Sequence, residues 1–304
     1  MSDVPELVEL SAAGLTLTFD GGNGVDPKDD VLLISQDGVE GWYDSPDDKT
    51  VMSERGQGDG AHDVWQSDFL YSARVITMHF TVGAHDRIGV VRLLNDVRRV
   101  CAHRRVRFRL KDATHDCYVT GRASWKSNGE YGRDGWLGDN TLTVTCERPE
   151  ILSSVESVCQ LEPLHASMVG GGLRYGESLD SPKGLQYPLA YGLKVDRNVS
   201  NVAILYNGGT SRAYPTFEVV GPMPDGVRLD FPGTGQSIVC SQPVYGEPLV
   251  LDCRSRTATV GGLDVSRTLS SRGFPQIPPL GSLNVVLSSF GNGFVNCRVR
   301  DTFM

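Results

Sequence analysis

Long apolar runs are missing from this sequence of 304 residues. A membrane-spanning helix needs about 20 consecutive apolar residues, and the runs found here are only a few residues long. The seven cysteines are scattered and include no C-x-x-C pair, so no zinc site is expected. Their odd number, with no signal peptide, predicts reduced thiols and synthesis in a cytoplasm. These absences predict a soluble protein with no membrane partner.

Catalytic motifs are missing as well. The sequence contains no G-x-S-x-G, H-E-x-x-H or Walker-type pattern. The six histidines show no metal-ligand spacing. Glycoside hydrolysis needs only two carboxylates across one cleft, and 37 acidic residues leave such a pair open. The prediction is a protein that is not an enzyme, with no catalytic residue, no cofactor and no metal site.

Basic residues are outnumbered, since 29 lysines and arginines stand against 37 aspartates and glutamates. The net charge of −8 and the pI near 5.3 argue against a general nucleic-acid binder. The charge is also uneven along the chain. Residues 1–60 hold 14 acidic and 3 basic side chains, whereas residues 85–125 hold ten basic and four acidic ones.

Two interpretations of this unevenness are open. In the first, the charges cancel within the fold, as they do on most solvated faces. In the second, the two segments form opposite flanks of one domain and meet across neighbouring subunits. A head-to-tail ring needs two complementary surfaces on each copy, and opposite charge would align them. Nucleic-acid binding by residues 85–125 is disfavoured, because its strand arginines alternate with core residues instead of exposed aromatics.

The clearest structural pattern runs from Tyr71 to Asp112 and predicts a strand, a helix and a strand. Apolar residues alternate along both strands, as a sheet with one buried face requires. They are Ile76, Met78, Phe80, Val82, Val106, Phe108 and Leu110. An apolar stripe at helical spacing lies between the strands, with Asp86 placed to cap the first turn. The stripe consists of Val90, Leu94, Val97 and Cys101.

Shorter strands and a long loop complete the first half. The strands are predicted at Leu15–Phe19, Val31–Ile34, Cys117–Trp125 and Thr141–Cys146. The glycine-rich stretch within residues 41–60 is interpreted as a flexible connection. The loop 126–140 contains Tyr131 and Trp136, and loops of about 12–15 residues without structure of their own are often functional. Its aromatic rings either contact another subunit or sugar, or fold back onto the sheet; both interpretations stay open.

Glycine and proline punctuate the second half. A stretch rich in proline, serine and glycine predicts a linker at residues 151–183. Eight short apolar runs follow, separated by turn residues, and they predict a β-sandwich or jelly roll. The runs are Val202–Tyr206, Thr216–Val220, Val227–Phe231, Ser237–Cys240, Pro248–Asp252, Thr257–Val260, Leu283–Ser288 and Phe294–Arg300.

The second half resembles a known family. The residues concerned are GLQYPLAYG at 184–192, AYPTFEVVGP at 213–222, YGEPLVLDCRSRTATVGG at 245–262, IPPLGSLNVV at 277–286 and the closing VRDTFM. Their order is similar to that in the distal tail proteins of siphophages, the Dit family. The strand, helix and arginine-rich strand of the first half are similar to that family's N-terminal domain. The similarity covers most of the chain and is weakest in residues 1–60 and 126–140.

The resemblance implies a structural protein of the virion tail tip that forms a homo-hexamer. Members of the family form a sixfold ring at the end of the tail tube, with galectin-like C-terminal domains projecting outward. The implied partners are the tail tube protein, the tail-tip or baseplate hub protein and the tape measure protein. DNA would pass through the ring without specific binding. The alternative is a carbohydrate-binding module for host adsorption, with host cell-wall carbohydrate as its partner.

The sequence therefore predicts a mainly β protein of two domains. Residues 1–150 are predicted as a β-sandwich-like, ring-forming domain with one α-helix, residues 151–183 as a linker, and residues 184–304 as a galectin-like β-sandwich or jelly roll. The residues predicted at the subunit interface are Arg105, Arg107, Arg109, Lys111, Trp125, Tyr131 and Trp136.

Overall fold

The computed structural model describes residues 5–22, 30–65, 68–127, 136–163 and 201–304. Two compact units divide the chain: Met1–Val155 together with Thr302–Met304, and Glu156–Asp301. Tyr131 and residues 164–183 of the predicted linker lie outside the described ranges.

Strands account for nearly all the regular structure, with one α-helix in the described ranges. In chain order the elements are β1 (Leu7–Ala12), β2 (Leu15–Asp20), β3 (Val31–Glu40), β4 (Arg74–Gly83), α1 (Arg87–Cys101), β5 (Arg105–Lys111), β6 (Asp116–Lys126), β7 (Trp136–Cys146), β8 (Ile151–Ser153), β9 (Ser157–Leu161), β10 (Val202–Asn207), β11 (Thr216–Val220), β12 (Val227–Phe231), β13 (Gln236–Cys240), β14 (Leu249–Asp252), β15 (Thr257–Val260), β16 (Leu263–Asp264), β17 (Leu269–Arg272), β18 (Gly281–Leu287), β19 (Phe294–Val299) and β20 (Thr302–Phe303).

The sheet of the first unit closes on itself. Hydrogen-bonded neighbours run β5, β1, β2, β3, β4 and β7, and β6 pairs with both β5 and β7. The result is a closed barrel of seven strands, in which β2 and β3 are parallel and the other neighbours antiparallel. β8 extends the sheet from β6, and β20 pairs with β8. Closure removes free edges from the ring of seven strands and separates an inner face from an outer one.

Alternating apolar side chains fill the barrel. The pattern from Tyr71 to Asp112 predicted seven apolar residues on two strands. All seven lie on β4 and β5 and are fully buried. Phe19 of β2 packs edge-on against Phe80 of β4, with ring centroids 5.3 Å apart. The period-two pattern therefore identified the core face of both strands correctly.

Helix α1 packs its apolar stripe onto the barrel. The Asp86 carboxylate accepts a hydrogen bond from the Gly89 N–H at 2.7 Å, which caps the first turn as predicted. Glycine suits position 89, because a Cβ there would lie 2.8 Å from the Ala84 Cβ and 2.6 Å from the Asp30 carboxylate. Val90 and Val97 are fully buried. The predicted strand, helix and strand are confirmed.

Between β3 and β4, residues 47–65 and 68–72 form two legs that pair with each other, and they are called the arm below. Near its base, the Lys49 N–H donates to the Leu70 carbonyl at 2.8 Å. Near its tip, the Arg55 N–H donates to the Gly60 carbonyl at 3.0 Å. Backbone pairing between its two legs, and not a hydrophobic core, therefore maintains the arm.

A buried arginine ties the base of the arm to the barrel. Arg74, the first residue of β4, is only 2% exposed. Its Nη1 donates to the carbonyls of Gly41, Trp42 and Asp44 at 2.8, 3.2 and 2.7 Å, and its Nε donates to the Pro149 carbonyl at 2.8 Å. Burial lowers the pKa of Arg74 from its ordinary value. The four carbonyl oxygens offset the cost of removing this charge from water.

Two sheets form the second unit. One has the order β10, β18, β12, β13, β17, and the other has the order β16, β15, β14, β11, β19, β9. Buried residues from both sheets belong to one hydrophobic cluster. Phe217 of β11 and Phe231 of β12, one from each sheet, have ring centroids 5.6 Å apart. All eight strands predicted in this half are present, with small shifts at their ends.

The structure differs from the sequence-based prediction in several elements. β1 was not predicted, nor were β16 and β17. The first unit contains a closed barrel where a sandwich-like domain was expected. Two strands, β8 and β9, lie inside the predicted linker 151–183, and β9 pairs with β19 of the second unit. The expectation of a mainly β protein with one helix is confirmed for the described residues.

Replacing Arg74 with methionine should destabilise the first unit by about 3 kcal/mol, because buried carbonyl oxygens would lose their donor. All four tryptophans lie in this unit, so their fluorescence during urea denaturation measures its unfolding. The control is Arg122→Met, since the Arg122 side chain is 70% exposed and forms an ion pair with Glu147 at 3.4 Å. That change should cost less than about 1 kcal/mol. Equal losses in the two variants would contradict the role assigned to Arg74.

Candidate functional site

The outer face of the barrel at β5 holds the basic residues predicted at the subunit interface. Val106, Phe108 and Leu110 are fully buried, and because side chains alternate along a strand the four basic residues between and beside them point outward. β5 lies between β1 and β6, so residues of those two strands flank the basic row.

Arg109 is the centre of an ion-pair network on this face. Its Nε and Nη2 donate to the two Asp116 carboxylate oxygens at 2.7 and 2.6 Å, and its Nη1 donates to Glu9 at 2.8 Å. The hydrogen bonds from Arg109 lower the pKa of Asp116 to about 2. The same bonds, with Asp116 first and Glu9 second, raise the pKa of Arg109. Two parallel bonds from one guanidinium fix its orientation as well as its charge.

The other members of the basic row also have partners within the chain. Arg105 pairs with Glu147 at 2.5 Å, and Lys111 pairs with Glu6 at 3.7 Å. The Arg107 guanidinium lies 3.8 Å from the centre of the Tyr118 ring, a cation–π contact.

Three ion pairs join the basic segment 85–125 to the acidic segment 1–60 of the same chain. They are Arg109 with Glu9, Lys111 with Glu6, and Arg92 with Asp30 at 3.6 Å. For these residues, cancellation of charge within the fold is what the structure shows. The interface role of the basic row stays a prediction, since these side chains remain partly or largely exposed.

The predicted aromatic residues lie in different surroundings. Trp125 is half-buried and packs against the barrel core. Trp136 is half-buried and covers Gly83, where a Cβ would lie 2.4 Å from its ring. The Trp136 ring therefore folds back onto the sheet, which was one of the two interpretations left open. Tyr131 lies outside the described residues.

Sequence reasoning missed the apolar surface of the arm. Several of its large side chains are exposed, among them Val51, Met52 and Trp65. The outer side of α1 also exposes Ile88 and Val91. The sequence did contain a signal for this surface, because apolar residues occur in and after the stretch that was interpreted as a flexible connection. Only the fold shows that no other described part of the chain covers them.

Groups suited to chemistry are sparse in the described part of the chain. No three histidine, cysteine or acidic side chains there are grouped to hold a metal ion. None of its helices has the length and apolar character to cross a membrane. All seven cysteines are free thiols, and burial raises the pKa of Cys101 and of Cys146 to about 11, so neither ionises near neutral pH.

The second unit contains a cavity of about 240 Å³. Its lining combines two aromatic rings with polar side chains, a composition that can hold a small polar ligand. The lining residues are Tyr214, Thr234, Gln236, Cys253, Arg256, Phe274 and Gln276.

Solved structures share this fold, although no protein-family model and no curated protein sequence matches the chain. The Dit protein of phage SPP1, described as a paradigm of the hub adsorption apparatus in phages that infect Gram-positive bacteria, aligns over 98% of this chain and 99% of its own, with a TM-score of 0.56 and 12% identity. A protein of the phage P2 baseplate in its activated conformation with calcium aligns over 96% of this chain and 97% of its own, with a TM-score of 0.52 and 10% identity. A protein of the same baseplate in its activated conformation with strontium aligns over 96% of this chain and 97% of its own, with a TM-score of 0.50 and 11% identity.

These likenesses define the class of fold. Both units of the chain, in their order, have counterparts in phage hub and baseplate proteins along nearly their whole length. The resemblance to phage distal tail proteins of the Dit type is therefore confirmed at the level of the fold.

Replacing Asp116 with asparagine should destabilise the first unit by about 1 kcal/mol at pH 7, because a partly exposed, bidentate ion pair is lost. The pKa of Asp116 falls from 3.8 to about 2 on folding, so its stabilisation is present above pH 3.8 and disappears as the pH falls through about 2. Urea denaturation followed by tryptophan fluorescence should therefore show the gap between the wild type and the variant shrinking as the pH is lowered. Asp37→Asn, at an exposed position of β3 outside the arm, is the control. A gap that widened in acid would contradict the assignment.

Proposed function

We propose that this chain is a structural phage tail protein that forms a ring of six copies at the distal end of the tail tube. The ring connects the tube to the tail tip or baseplate hub, in the tail tip of the virion. The observation that supports this most is the fold match, which includes both units over 96–98% of the chain and not one common module. Phage hub and baseplate proteins with this architecture are structural components, and the proposed role is not enzymatic.

The ring is proposed to form through the first unit. Copies related by a rotation must each present two different complementary surfaces. Apart from the three ion pairs made within one chain, exposed residues of the basic segment 85–125 and of the acidic segment 1–60 carry opposite charge, and charge complementarity steers and aligns partners. The seven residues predicted at this interface are retained in the proposal, with Arg105 and Arg107 as its most testable members because β5 presents both outward.

The second unit is proposed to be a galectin-like β-sandwich. Two antiparallel sheets around one core support this assignment. The proposed domain division is residues 1–150 and 184–304, joined through the predicted linker 151–183, in which β8 pairs with the first unit and β9 with the second. The proposed partners are the tail tube protein, the hub protein and the tape measure protein. DNA would pass through the ring without specific binding, since a protein of net charge −8 attracts the phosphate backbone little.

Native mass spectrometry of the full-length protein over a range of concentrations tests the assembly. The proposal predicts a species six times the mass of one chain, which becomes more abundant with concentration and less abundant with salt. A protein that remained a single copy at the highest concentration would contradict it.

Reversing the charge at Arg105 and Arg107 to glutamate should impair ring formation and leave the monomer folded, because opposite charges would become like charges across the interface. Native mass spectrometry measures the assembly, and tryptophan fluorescence measures the fold of the first unit. Arg267→Glu with Arg272→Glu makes the same charge change on exposed residues of the second unit and serves as the control. Unchanged assembly in the Arg105 and Arg107 variant would contradict an interface at β5.

The second candidate function is carbohydrate binding for host adsorption, which the cavity in the second unit favours. Aromatic rings with nearby amides and hydroxyls suit sugar recognition, and Tyr214, Gln236 and Gln276 provide these groups. The test is a host cell-wall binding assay with the full-length protein and with Tyr214→Ala. Binding by the wild type that the variant loses would support this function, and no binding by either would exclude it.

A further inference from the structure

The arm presents an uncovered apolar surface. Every residue from 51 to 60 is exposed, so no other described part of the chain packs against the tip. Val51 is 89% exposed and Trp65 is 81% exposed. Large apolar side chains left exposed on one segment mark an interaction site, and tryptophan and methionine are enriched at interfaces.

The outer side of α1 presents a second apolar surface. Ile88 is 69% exposed and Val91 is 45% exposed, and both lie one turn apart on the helix side away from the barrel. Arg92, Arg98 and Arg99 are exposed beside them. These five residues of α1 are called the helix face below.

Charge distinguishes the two surfaces. The arm contains six acidic and two basic residues, whereas α1 contains four arginines and one aspartate. Two arms would repel each other, as would two helix faces, but an arm and a helix face attract. Each chain carries one of each on its first unit, so a second copy supplies the complementary surface in equal amount.

We infer that the arm of one copy docks on the helix face of the next copy. The inference rests on the proposed ring and identifies the residues that join its neighbours. The occupant of each surface is a second copy of this chain, with the apolar residues in contact and the acidic and basic residues paired around them. This contact is heterologous, as a closed ring requires.

A charge swap tests the docking in the full-length protein. One variant carries Arg98→Glu and Arg99→Glu on the helix face, and another carries Glu54→Lys and Asp59→Lys on the arm. Each should weaken assembly in native mass spectrometry by about tenfold or more, because like charges then face each other. Mixing the two variants, or combining all four changes in one chain, should restore assembly, since opposite charges meet again. Misfolding of either variant could not produce that rescue.

The apolar contact has a separate test. Trp65→Ser should weaken assembly by about tenfold or more, as expected when a central interface tryptophan is removed. Tyr245→Ser changes an aromatic residue that is 64% exposed on the second unit and is the matched control, which should leave assembly unchanged.

The outcomes separate this inference from the proposed function. Rings that form in the wild type and persist in all the variants would overturn the docking but leave the ring intact. Weakened variants that fail to rescue each other on mixing would also overturn it. A wild type that forms no ring at any concentration would overturn both proposals.

Discussion

One buried positive charge, that of Arg74, fixes the base of the arm, which is one of the surfaces that the proposed ring depends on. The Arg74 guanidinium binds four backbone carbonyls, three of them where the chain leaves the barrel towards the arm. Arg74 itself begins β4, directly after the arm returns. A buried charge with so many fixed partners allows little freedom, because each broken bond exposes an unpaired group in an apolar setting. The arm can therefore extend beyond the core while its base keeps a defined position.

Closure of the barrel determines which charged side chains remain available to a neighbouring copy of the chain. Because β6 pairs with both β5 and β7, every residue of the ring of strands faces either the core or the outside. On the outside, Arg109 and Lys111 meet acidic residues of the same chain. These pairs neutralise Glu9 and Glu6, the carboxylates beside the basic residues of β5. The arm and the helix face remain exposed and differ in charge, and the proposed ring contact uses them together with Arg105 and Arg107 of β5.

Local patterns predicted much of this fold, and contacts between distant residues could not be predicted. β4, α1 and β5 were visible because long periodic runs agree with their local propensity. β1 also alternates between buried and partly exposed residues. It has only six residues, with the polar Glu9 and Ser11 among them, and is too short to stand out in the sequence. Barrel closure depends on the pairing of β6 with β7, and the Arg109–Glu9 pair joins residues 100 positions apart. Counts of charged residues along the sequence could not show that Arg109 pairs with Glu9. They also could not show that Trp65 is exposed on the arm.

The central claim is that copies of this chain close into a ring because each presents two unlike surfaces that fit one another. Electron microscopy of assembled tail particles tests it most directly. The account predicts six copies around the tail axis at its distal end, with the arm of each copy on the helix face of its neighbour. Single isolated copies, or a location away from the distal end of the tail, would contradict it.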